Sequence, residues 1–274
     1  MPTLYLVGTP IGNLEDMTFR AVRILQEVGL VAAEDTRKAK VLFARHGIKT
    51  ALTSYHEQGN RSTAPAILKR LQQMDVALIT EAGMPTVSDP GYGLVKDAIE
   101  AGIPIDVVPG ASAITAAVAV SGLPPDQFVF VGFLPRKAGE RRKLLTSLAG
   151  EPRTLVVLEA PHRLRASLTE IKTCLGERPI AVCREMTKLH QEVFRGTPKS
   201  ALEHFQTPRG EFTLVIGGGQ ESKEQPSDEA LRSRLAQLRD EGLSAKEATA
   251  LVVGETGMPR RQVYQRWLDV QKKD

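Results

Sequence analysis

The chain has 274 residues, of which 42% are hydrophobic and 25% charged, and this ordinary globular composition excludes a wholly disordered protein. Its formal net charge of +4 is too small to indicate nucleic-acid binding by itself. The longest apolar stretch, near residues 111–120, is about half of the roughly 20 residues that a membrane-spanning helix needs. Because no secretory signal opens the chain either, we expect a soluble, cytoplasmic protein with no membrane partner.

The first half of the chain alternates short apolar runs with segments of helical periodicity, a pattern typical of an α/β fold. Strands are predicted at residues 3–7, up to residue 33, at 76–80 and at 105–108. Helices are predicted at residues 19–28, 64–74, 92–101 and 112–120. We interpret residues 1–121 as a first α/β domain of ordinary size.

A second α/β domain is predicted over residues 122–220, because the segment Gly122-Leu-Pro-Pro125 cannot continue the preceding helix. Its strands are predicted at residues 128–131, 154–158, 180–183 and 212–216, and its helices at 163–175 and 199–205. Residues 191–195 are rich in β-forming side chains and are predicted to pair as an antiparallel strand.

The last segment, residues 226–274, is predicted to be a helical tail behind a glycine-rich, polar linker. Ser227 is expected to cap a helix that runs to Arg239. A glycine, a proline at a first helical position and an apolar residue follow at the spacing of a helix-turn-helix: Gly257, Pro259 and Val263. Because only the second helix of that pair is basic, we slightly favour a plain helical appendage that packs on the main body.

Cysteine and histidine residues give no sign of a metal site. The two cysteines, Cys174 and Cys183, fall in a predicted helix and a predicted strand, without partners at metal-ligand spacing. The five histidines also lack such neighbours. We expect reduced, structural thiols and no bound metal ion.

Arginine and lysine residues concentrate in two places. One is a stretch that we interpret as hairpin-like: Arg136, Lys137, Arg141, Arg142 and Lys143. The other lies at the C-terminus: Arg260, Arg261, Arg266, Lys272 and Lys273. A solvated face is the ordinary alternative for either cluster.

Loops that follow strands of an open α/β sheet are where ligands bind, and three of them are unusual here. The first, Gly8 to Leu14, fails the G-x-G-x-x-G fingerprint and lacks the Lys-Ser/Thr of a P-loop, which disfavours NAD and ATP. The loop from Glu81 to Tyr92 is long, and its small residues allow a ligand to approach the backbone closely. The third, Pro109 to Ala113, places Ser112 at a helix N-cap. A plain turn explains either of the last two loops alone, but together they favour a ligand site.

Seven ordered segments carry a resemblance to a known family: Gly8-Thr-Pro-Ile-Gly-Asn-Leu14, Ala33-Glu-Asp-Thr-Arg37, Glu81-Ala-Gly-Met-Pro with Ser88-Asp-Pro-Gly91, Pro109-Gly-Ala-Ser112, Glu159-Ala-Pro-His-Arg163, Cys183-Arg-Glu-Met-Thr-Lys188 and Arg209-Gly-Glu-Phe-Thr213. They resemble the tetrapyrrole-methylase superfamily of S-adenosylmethionine enzymes. Within it they are similar to the branch that methylates the cytidine 2′-O-ribose of small-subunit ribosomal RNA. The resemblance covers nearly the whole chain, including the helical tail.

The resemblance implies two α/β domains with an interdomain cleft that holds S-adenosylmethionine, a small C-terminal helical appendage and a homodimer. The expected substrate is a cytidine in the decoding region of small-subunit rRNA, either free or in the assembled small ribosomal subunit. The basic stretch from Arg136 to Lys143 is then expected to contact the RNA backbone. Ten positions are expected to line the cofactor: Pro10, Ala82, Met84, Thr86, Ser112, Ala113, Ala160, Arg184, Glu211 and Phe212. The family loop usually begins Asp-Ala-Gly-Thr-Pro, whereas this chain has Glu81 and Met84. Because the backbone does most of the binding there, we expect cofactor affinity to be retained.

Methyl transfer from a sulfonium to a hydroxyl depends mainly on alignment and desolvation, and a nearby carboxylate can accept the proton. Five carboxylates qualify by loop position, and the sequence leaves the choice open: Glu34, Asp35, Glu81, Asp89 and Glu185. The cations beside them in sequence either hold RNA phosphates or neutralise a buried acid: Arg37, Arg163, Arg184 and Lys188. Our predicted catalytic set is Asp35, Arg37, Glu81, Glu185 and Lys188. For Arg163 a structural salt bridge is about as probable as an active-site role.

Tyr55 and His56 are expected at the surface, where either could stack on an unpaired base. Two other functions stay open. One is a methylase of the same superfamily that acts on a tetrapyrrole or on a modified protein histidine. The other is a non-catalytic RNA-binding or ribosome-assembly protein. The helical tail and the segment Glu34-Asp-Thr-Arg37 favour the RNA methyltransferase.

Overall fold

Two five-stranded sheets form the body of the computed structural model, which describes residues 1–57, 63–219, 227–256 and 258–271. Tertiary contacts divide the chain into two units, residues 1–218, which contain both sheets, and residues 219–274. Within the described ranges, no helix combines the length and the apolar character needed to cross a membrane.

The first sheet is entirely parallel, with strand order β3-β2-β4-β1-β5. Its strands are β1 (Leu4–Val7), β2 (Leu30–Ala33), β3 (Leu52–Ser54), β4 (Val76–Ile79) and β5 (Ile105–Val108). The helices between and after them are α1 (Phe19–Glu27), α2 (Thr36–His46), α3 (Ala64–Arg70), α4 (Tyr92–Glu100) and α5 (Ala113–Ser121). The predicted strands and helices are confirmed within a few residues, whereas the short strand β3 and the cation-rich helix α2 were not predicted. Because the strands are parallel, the loops after β1, β2, β4 and β5 meet at one edge.

The second sheet is mixed, with strand order β6-β7-β10-β8-β9, and only β6 and β7 are parallel to each other. Its strands are β6 (Phe128–Phe133), β7 (Thr154–Glu159), β8 (Ile180–Arg184), β9 (Glu192–Gly196) and β10 (Phe212–Ile216). Its helices are α6 (Ala138–Ser147), α7 (Pro161–Leu175) and α8 (Pro198–His204). The predicted antiparallel pairing near residues 191–195 is confirmed by β9, which pairs with β8.

The hairpin-like interpretation of the basic stretch is wrong, because most of it belongs to α6. Leu144, Leu145 and Leu148 recur at helical spacing and pack against the core of the second sheet. The apolar residues that fix this helix follow the basic run, so the charges alone gave no indication of it.

Helix α5 joins the two sheets. It follows the last strand of the first sheet, yet its Ala117 and Val118 pack against Val156, Ala181 and Val215 of the second sheet. The loop that leads into α5 therefore lies between the two sheets, where both can contribute to a ligand site.

The C-terminal unit contains α9 (Asp228–Asp240), α10 (Ala245–Thr256) and α11 (Arg260–Gln271). The predicted cap is confirmed, because the Ser227 hydroxyl accepts a hydrogen bond from the Ala230 amide at 3.2 Å. These helices bury a core of their own, which includes Leu235 and Trp267. Three residues of the predicted motif and basic cluster lie outside the described residues: Gly257, Lys272 and Lys273.

Candidate active site

The loops that follow β1, β4 and β5 are joined backbone to backbone. The Thr9 amide donates to the Gly83 carbonyl at 2.9 Å, and the Gly83 amide donates back to Thr9 at 3.1 Å. A Cβ atom added at Gly8 would lie 2.7 Å from the Gly110 nitrogen and 2.7 Å from the Met84 sulfur. The close approach of Gly8 and Gly110 therefore requires glycine and fixes the relative position of the three loops.

The loop after β1 also contacts the second sheet. The Asn13 amide donates to the Thr187 hydroxyl at 3.1 Å, and a Cβ atom at Gly12 would collide with the Lys188 side chain. The first loop, which the sequence singled out for its two glycines, thus makes one close contact within the first sheet and another with the loop after β8.

A cavity of about 420 Å³ lies between the two sheets, within the usual range for small-molecule sites. We call it the inter-sheet cavity. Small side chains such as Ala82 and Ala160 line it beside the larger Met84 and Phe212. The Ser112 residue at the N-cap of α5 also lines it, and its hydroxyl makes no capping hydrogen bond. The lining thus offers apolar surface and a few polar groups to a ligand.

The inter-sheet cavity brings together most of the residues that the resemblance assigns to the cofactor: Ala82, Met84, Ser112, Ala113, Ala160, Glu211 and Phe212. Pro10 lines a neighbouring cavity instead. Thr86 and Arg184 are outside the described linings of both. The Arg184 guanidinium is directed elsewhere, donating to the Arg209 carbonyl at 2.7 Å and pairing with Glu192 at 3.3 Å.

The neighbouring cavity, which we call the side cavity, has a volume of about 320 Å³ and shares Glu81, Ala82 and Glu211 with the inter-sheet cavity. It is lined by the ends of β2 and β4 and by charged residues of both signs, including Asp35 and Lys188. Three of the predicted catalytic residues line it, Asp35, Glu81 and Lys188. Arg37 and Glu185 do not line it but pair with Asp35 and Lys188.

Lys188 connects two carboxylates at this cavity. Its Nζ lies 2.9 Å from Glu185 Oε1 and 2.9 Å from Glu211 Oε2, and the Glu211 amide donates to Glu185 at 2.9 Å. Burial alone would raise the pKa of Glu185, but the Glu211 amide and the Lys188 ammonium outweigh it and hold that pKa below its ordinary value. Glu185 is therefore a paired anion at neutral pH.

Asp35 and Glu81 are also paired. Arg37 holds Asp35 through two guanidinium contacts, one of 2.8 Å, and these lower the pKa of Asp35 to about 2. The Arg37 side chain itself is 89% exposed. Lys38 pairs with Glu81, and this hydrogen bond raises the pKa of Lys38. Lys38 was missed in the sequence, because its partner Glu81 lies 43 residues away and no local pattern links the two.

Asp89 differs from these carboxylates, because no residue in the described part of the chain donates a hydrogen bond to it. It is half-buried and lines the inter-sheet cavity. Burial, followed by the charges of Glu34 and Glu81, raises the pKa of Asp89 to about 7. Burial also raises the pKa of Glu34, although the Glu81 amide and Lys38 oppose that effect.

Strained backbone is confined to loops around these cavities. Across the described ranges, the non-glycine residues with left-handed φ are Thr86 at 75°, Ser88 at 63°, Glu185 at 50° and Thr187 at 67°. The first two lie in the loop after β4, and the other two lie in the loop after β8. Such strain persists only where the surrounding structure enforces it, and it is common at functional sites.

Two arginines make structural contacts: Arg141, which was expected to bind RNA, and Arg163, for which a structural salt bridge was one of the two expected roles. Arg141 is wrong as an RNA contact, because its side chain is 8% exposed and forms a two-point ion pair with Glu170 at 2.7 and 3.1 Å. Arg163 is a structural residue, pairing with buried Glu159 at 3.4 Å and donating to the Pro135 carbonyl at 3.0 Å. The other members of the basic stretch are exposed: Arg136, Lys137, Arg142 and Lys143.

The expected surface position of Tyr55 is also wrong. Its side chain is 1% exposed and packs in the core of the first sheet, so it is not available to stack on a base. His56, the next residue, is exposed. No group of three or more side chains placed to hold a metal ion occurs in the described part of the chain.

Comparison with family models gives two matches. Residues 3–202 match the model described as Tetrapyrrole (Corrin/Porphyrin) Methylases, and residues 225–271 match the RsmI C-terminal HTH domain. The second match corrects the preference for a plain helical appendage, because it identifies the tail as a helix-turn-helix domain.

Several relatives carry the name Ribosomal RNA small subunit methyltransferase I. The protein of Synechocystis sp. is 47% identical, and the alignment covers 99% of both chains. That of Pseudomonas aeruginosa is 42% identical over 99% of this chain and 98% of its own. That of Thermotoga maritima is 49% identical over 221 residues, which are 80% of this chain and 99% of the relative.

Solved structures of two methyltransferases share the fold. A cobalt precorrin-4 methyltransferase superposes with a TM-score of 0.59 at 19% identity, covering 78% of this chain and 94% of that chain. Uroporphyrin III C-methyltransferase from Thermus thermophilus gives a TM-score of 0.56 at 20% identity, covering 78% and 97%. At these identities the likeness concerns the fold alone.

Proposed function

Because this chain belongs to the ribosomal RNA small-subunit methyltransferase I family of the tetrapyrrole methylases, we propose that it methylates the ribose 2′-hydroxyl of a cytidine in the decoding region of small-subunit rRNA. S-adenosylmethionine is the methyl donor of this superfamily and supplies an electrophilic methyl group on a sulfonium. The observation that supports this function most directly is the inter-sheet cavity, which gathers family-motif residues from both sheets.

The residues of the inter-sheet cavity fit S-adenosylmethionine. Its volume of about 420 Å³ suits a ligand of that size, and its small side chains leave the backbone of the loops after β4 and β5 accessible. Met84 replaces the usual family threonine, and its sulfur also packs close to Gly8. Cys183 lines the same cavity, but burial raises the pKa of its thiol to about 11, so it stays protonated and is a poor nucleophile.

The charged residues of the side cavity, which adjoins the inter-sheet cavity at Glu81, are suited to holding the RNA that carries the acceptor. Lys38 and Lys188 present ammonium groups there, each already partnered by a carboxylate. Salt-bridged lysines keep their side chains in one orientation, which favours alignment of the acceptor hydroxyl with the donor. We assign Asp35, Arg37, Glu81, Glu185 and Lys188 to this positioning network.

The exposed cations at the start of α6 are proposed to bind the RNA backbone. Replacing all four, Arg136, Lys137, Arg142 and Lys143, by alanine is expected to weaken RNA binding and to reduce the salt slope by about 1 for each lost phosphate contact. Titrations of rRNA at several salt concentrations measure both quantities. Affinity for S-adenosylmethionine serves as the control and is expected to stay unchanged. An unaltered salt slope would contradict this assignment.

The direct test of function is product identification. The purified protein is incubated with methyl-labelled S-adenosylmethionine and either undermodified small ribosomal subunits or their free rRNA. The RNA is then digested, and the labelled nucleoside is identified by mass spectrometry. We expect 2′-O-methylcytidine, and the more active substrate distinguishes the assembled subunit from free rRNA. No label in either RNA, with cofactor binding confirmed, would exclude this activity and favour a tetrapyrrole or protein acceptor, or a non-catalytic RNA-binding role.

We also propose that the protein is a cytoplasmic homodimer, as the family resemblance implies. Light scattering on the full chain is expected to give twice the chain mass of 29.9 kDa. A monomeric mass at micromolar concentration would contradict the proposed dimer.

A further inference from the structure

The structure separates five carboxylates that the sequence left equivalent. Four of them already accept hydrogen bonds from neighbouring groups: Asp35 from Arg37, Glu81 from Lys38, Glu185 from Lys188 and the Glu211 amide, and Glu34 from the Glu81 amide at 3.4 Å. A carboxylate held by a cation is a weak proton acceptor, because the cation stabilises its ionised form. Asp89 is the member of this group that accepts no hydrogen bond from the described residues, and, unlike Glu34, it lines the inter-sheet cavity.

Asp89 also has the position that a proton acceptor needs. Its side chain lines the inter-sheet cavity and, on its other side, an outer cavity of about 700 Å³ that is also lined by Glu34 and His56. It thus lies where the inter-sheet cavity meets the outer cavity. The loop that carries it is held in place, because the Gly91 and Gly93 amides donate to the Glu57 carboxylate at 2.9 and 2.5 Å.

We propose that Asp89 is the general base that accepts the proton of the acceptor 2′-hydroxyl, an inference that rests on the proposed function. The 2′-oxygen attacks the methyl carbon, a C–O bond forms and the C–S bond breaks. Its electron pair stays on sulfur, which leaves as the neutral thioether S-adenosylhomocysteine. The hydroxyl proton passes to an Asp89 carboxylate oxygen and from there to water, so charge and atoms balance.

The electrostatic surroundings of Asp89 suit this task. Glu34 and Glu81 are the charges that act on it, while Glu57 and His56 line the outer cavity and Glu211 lines the inter-sheet cavity with it. Burial, followed by the charges of Glu34 and Glu81, raises the proton affinity of Asp89, and its pKa of about 7 lies near the value at which general bases work best at neutral pH. We expect a rate that rises with pH as Asp89 ionises and that levels off above about pH 7.

The test is a single-turnover pH profile of the full chain with saturating methyl-labelled S-adenosylmethionine and undermodified small subunits. For Asp89→Asn we expect a rate lower by about 10²-fold or more. We also expect loss of the limb near pH 7, the part of the profile in which the rate rises with pH. Affinity for S-adenosylmethionine and the far-ultraviolet circular dichroism spectrum are expected to match the wild type. The longer Asp89→Glu is expected to recover part of the rate and the pH limb. Asp106→Asn makes the same chemical change at a carboxylate that pairs with Arg20 outside these cavities, and it is expected to keep the rate and the limb.

The outcomes distinguish a failure of the Asp89 assignment from a failure of the proposed function. If the wild type methylates the subunit but Asp89→Asn keeps its rate and pH limb, Asp89 is not the base. A slower Asp89→Asn that retains the limb near pH 7 also overturns the proposal and makes Asp89 a positioning residue. If the wild type transfers no methyl group to RNA, it is the proposed function that fails.

Discussion

The two sheets contribute to the same cavity through different strand arrangements. In the parallel first sheet, the loops after β1, β4 and β5 meet at one edge, so residues from the carboxyl ends of the strands converge. In the second sheet, β10 is antiparallel to β7 and β8, and Phe212 pairs with Glu159 on one side and with Arg184 on the other. The start of one strand therefore lies beside the ends of two others. In a parallel sheet, the position of the site follows from a general rule about the carboxyl ends of the strands. In a mixed sheet, it depends on which residues are paired between neighbouring strands.

The two regions also differ in what holds their loops. In the first sheet, Gly8 and Gly110 bring backbone against backbone. Beside the second sheet, the buried Arg141–Glu170 pair ties α6 to α7, and Arg141 also donates to the carbonyls of Pro135 and Arg136. A close fit between glycines therefore holds one set of loops and a buried ion pair holds the other. Two substitutions test this difference, and a third tests the carboxylate carried by the loop after β4.

The largest effect is expected for Arg141→Ala. Removing one partner of a buried ion pair leaves Glu170 uncompensated, and the free energy of unfolding should fall by about 3–5 kcal/mol. Urea unfolding measures the loss. The double variant Arg141→Met with Glu170→Leu is the control and should be close to the wild type, because both charges are then removed. A loss below about 1 kcal/mol for Arg141→Ala would show that charge pairing matters little there.

A smaller effect is expected for Gly110→Ala in the first sheet. The new Cβ would lie 2.9 Å from three backbone atoms of Gly8, so the loops must separate. The expected loss is about 1–3 kcal/mol of stability, with weaker binding of S-adenosylmethionine in calorimetry. Gly139→Ala in α6 is the matched control, since no described atom lies within 4 Å of its Cβ position. That control should stabilise the protein by about 0.5–1 kcal/mol. If Gly110→Ala and Gly139→Ala changed the free energy of unfolding equally, the close approach of Gly110 to Gly8 would not be what holds these loops.

The smallest effect concerns Asp89→Asn and depends on pH. The folded-state pKa of Asp89, about 7, lies above its ordinary value of 3.8, so its contribution to stability is lost as pH rises between those values. Asparagine has no such loss. Between pH 5 and pH 8, we expect the free energy of unfolding of the variant to rise relative to that of the wild type by about 1 kcal/mol, or about 2–4 °C in Tm. This value allows for the partial exposure of Asp89. Calorimetry at the two pH values measures this gain. If the difference in Tm between the variant and the wild type were the same at pH 5 and pH 8, the pKa of Asp89 would not be raised in the folded protein.

Much of this arrangement could be predicted from sequence, for identifiable reasons. Strands β1, β2 and β4 are continuous apolar runs, and the rule for parallel sheets then indicates the loops that follow the strands of the first sheet. The long loop containing Glu81 and Asp89 could be recognised in the sequence by its length and its small residues.

The remaining features depend on contacts between residues distant in sequence. Arg141 and Arg142 are neighbours in one basic run, yet one is buried against Glu170, 29 residues away, and the other is exposed. Similarly, Lys38 pairs with Glu81 across 43 residues. Such pairings decide which of the five carboxylates is left without a hydrogen bond from the described residues, and no local sequence pattern records them.

The strained residues Thr86, Ser88, Glu185 and Thr187 affect how this protein could be engineered. A non-glycine residue in a left-handed conformation stores about 1–3 kcal/mol, so glycine substitutions at these positions are among the simplest ways to raise stability. All four flank the cavities, where the enforced backbone shape is what a ligand meets. A selection for heat resistance alone would therefore be drawn to the active-site loops, and a thermostabilised variant of this enzyme should be sought by changing residues elsewhere.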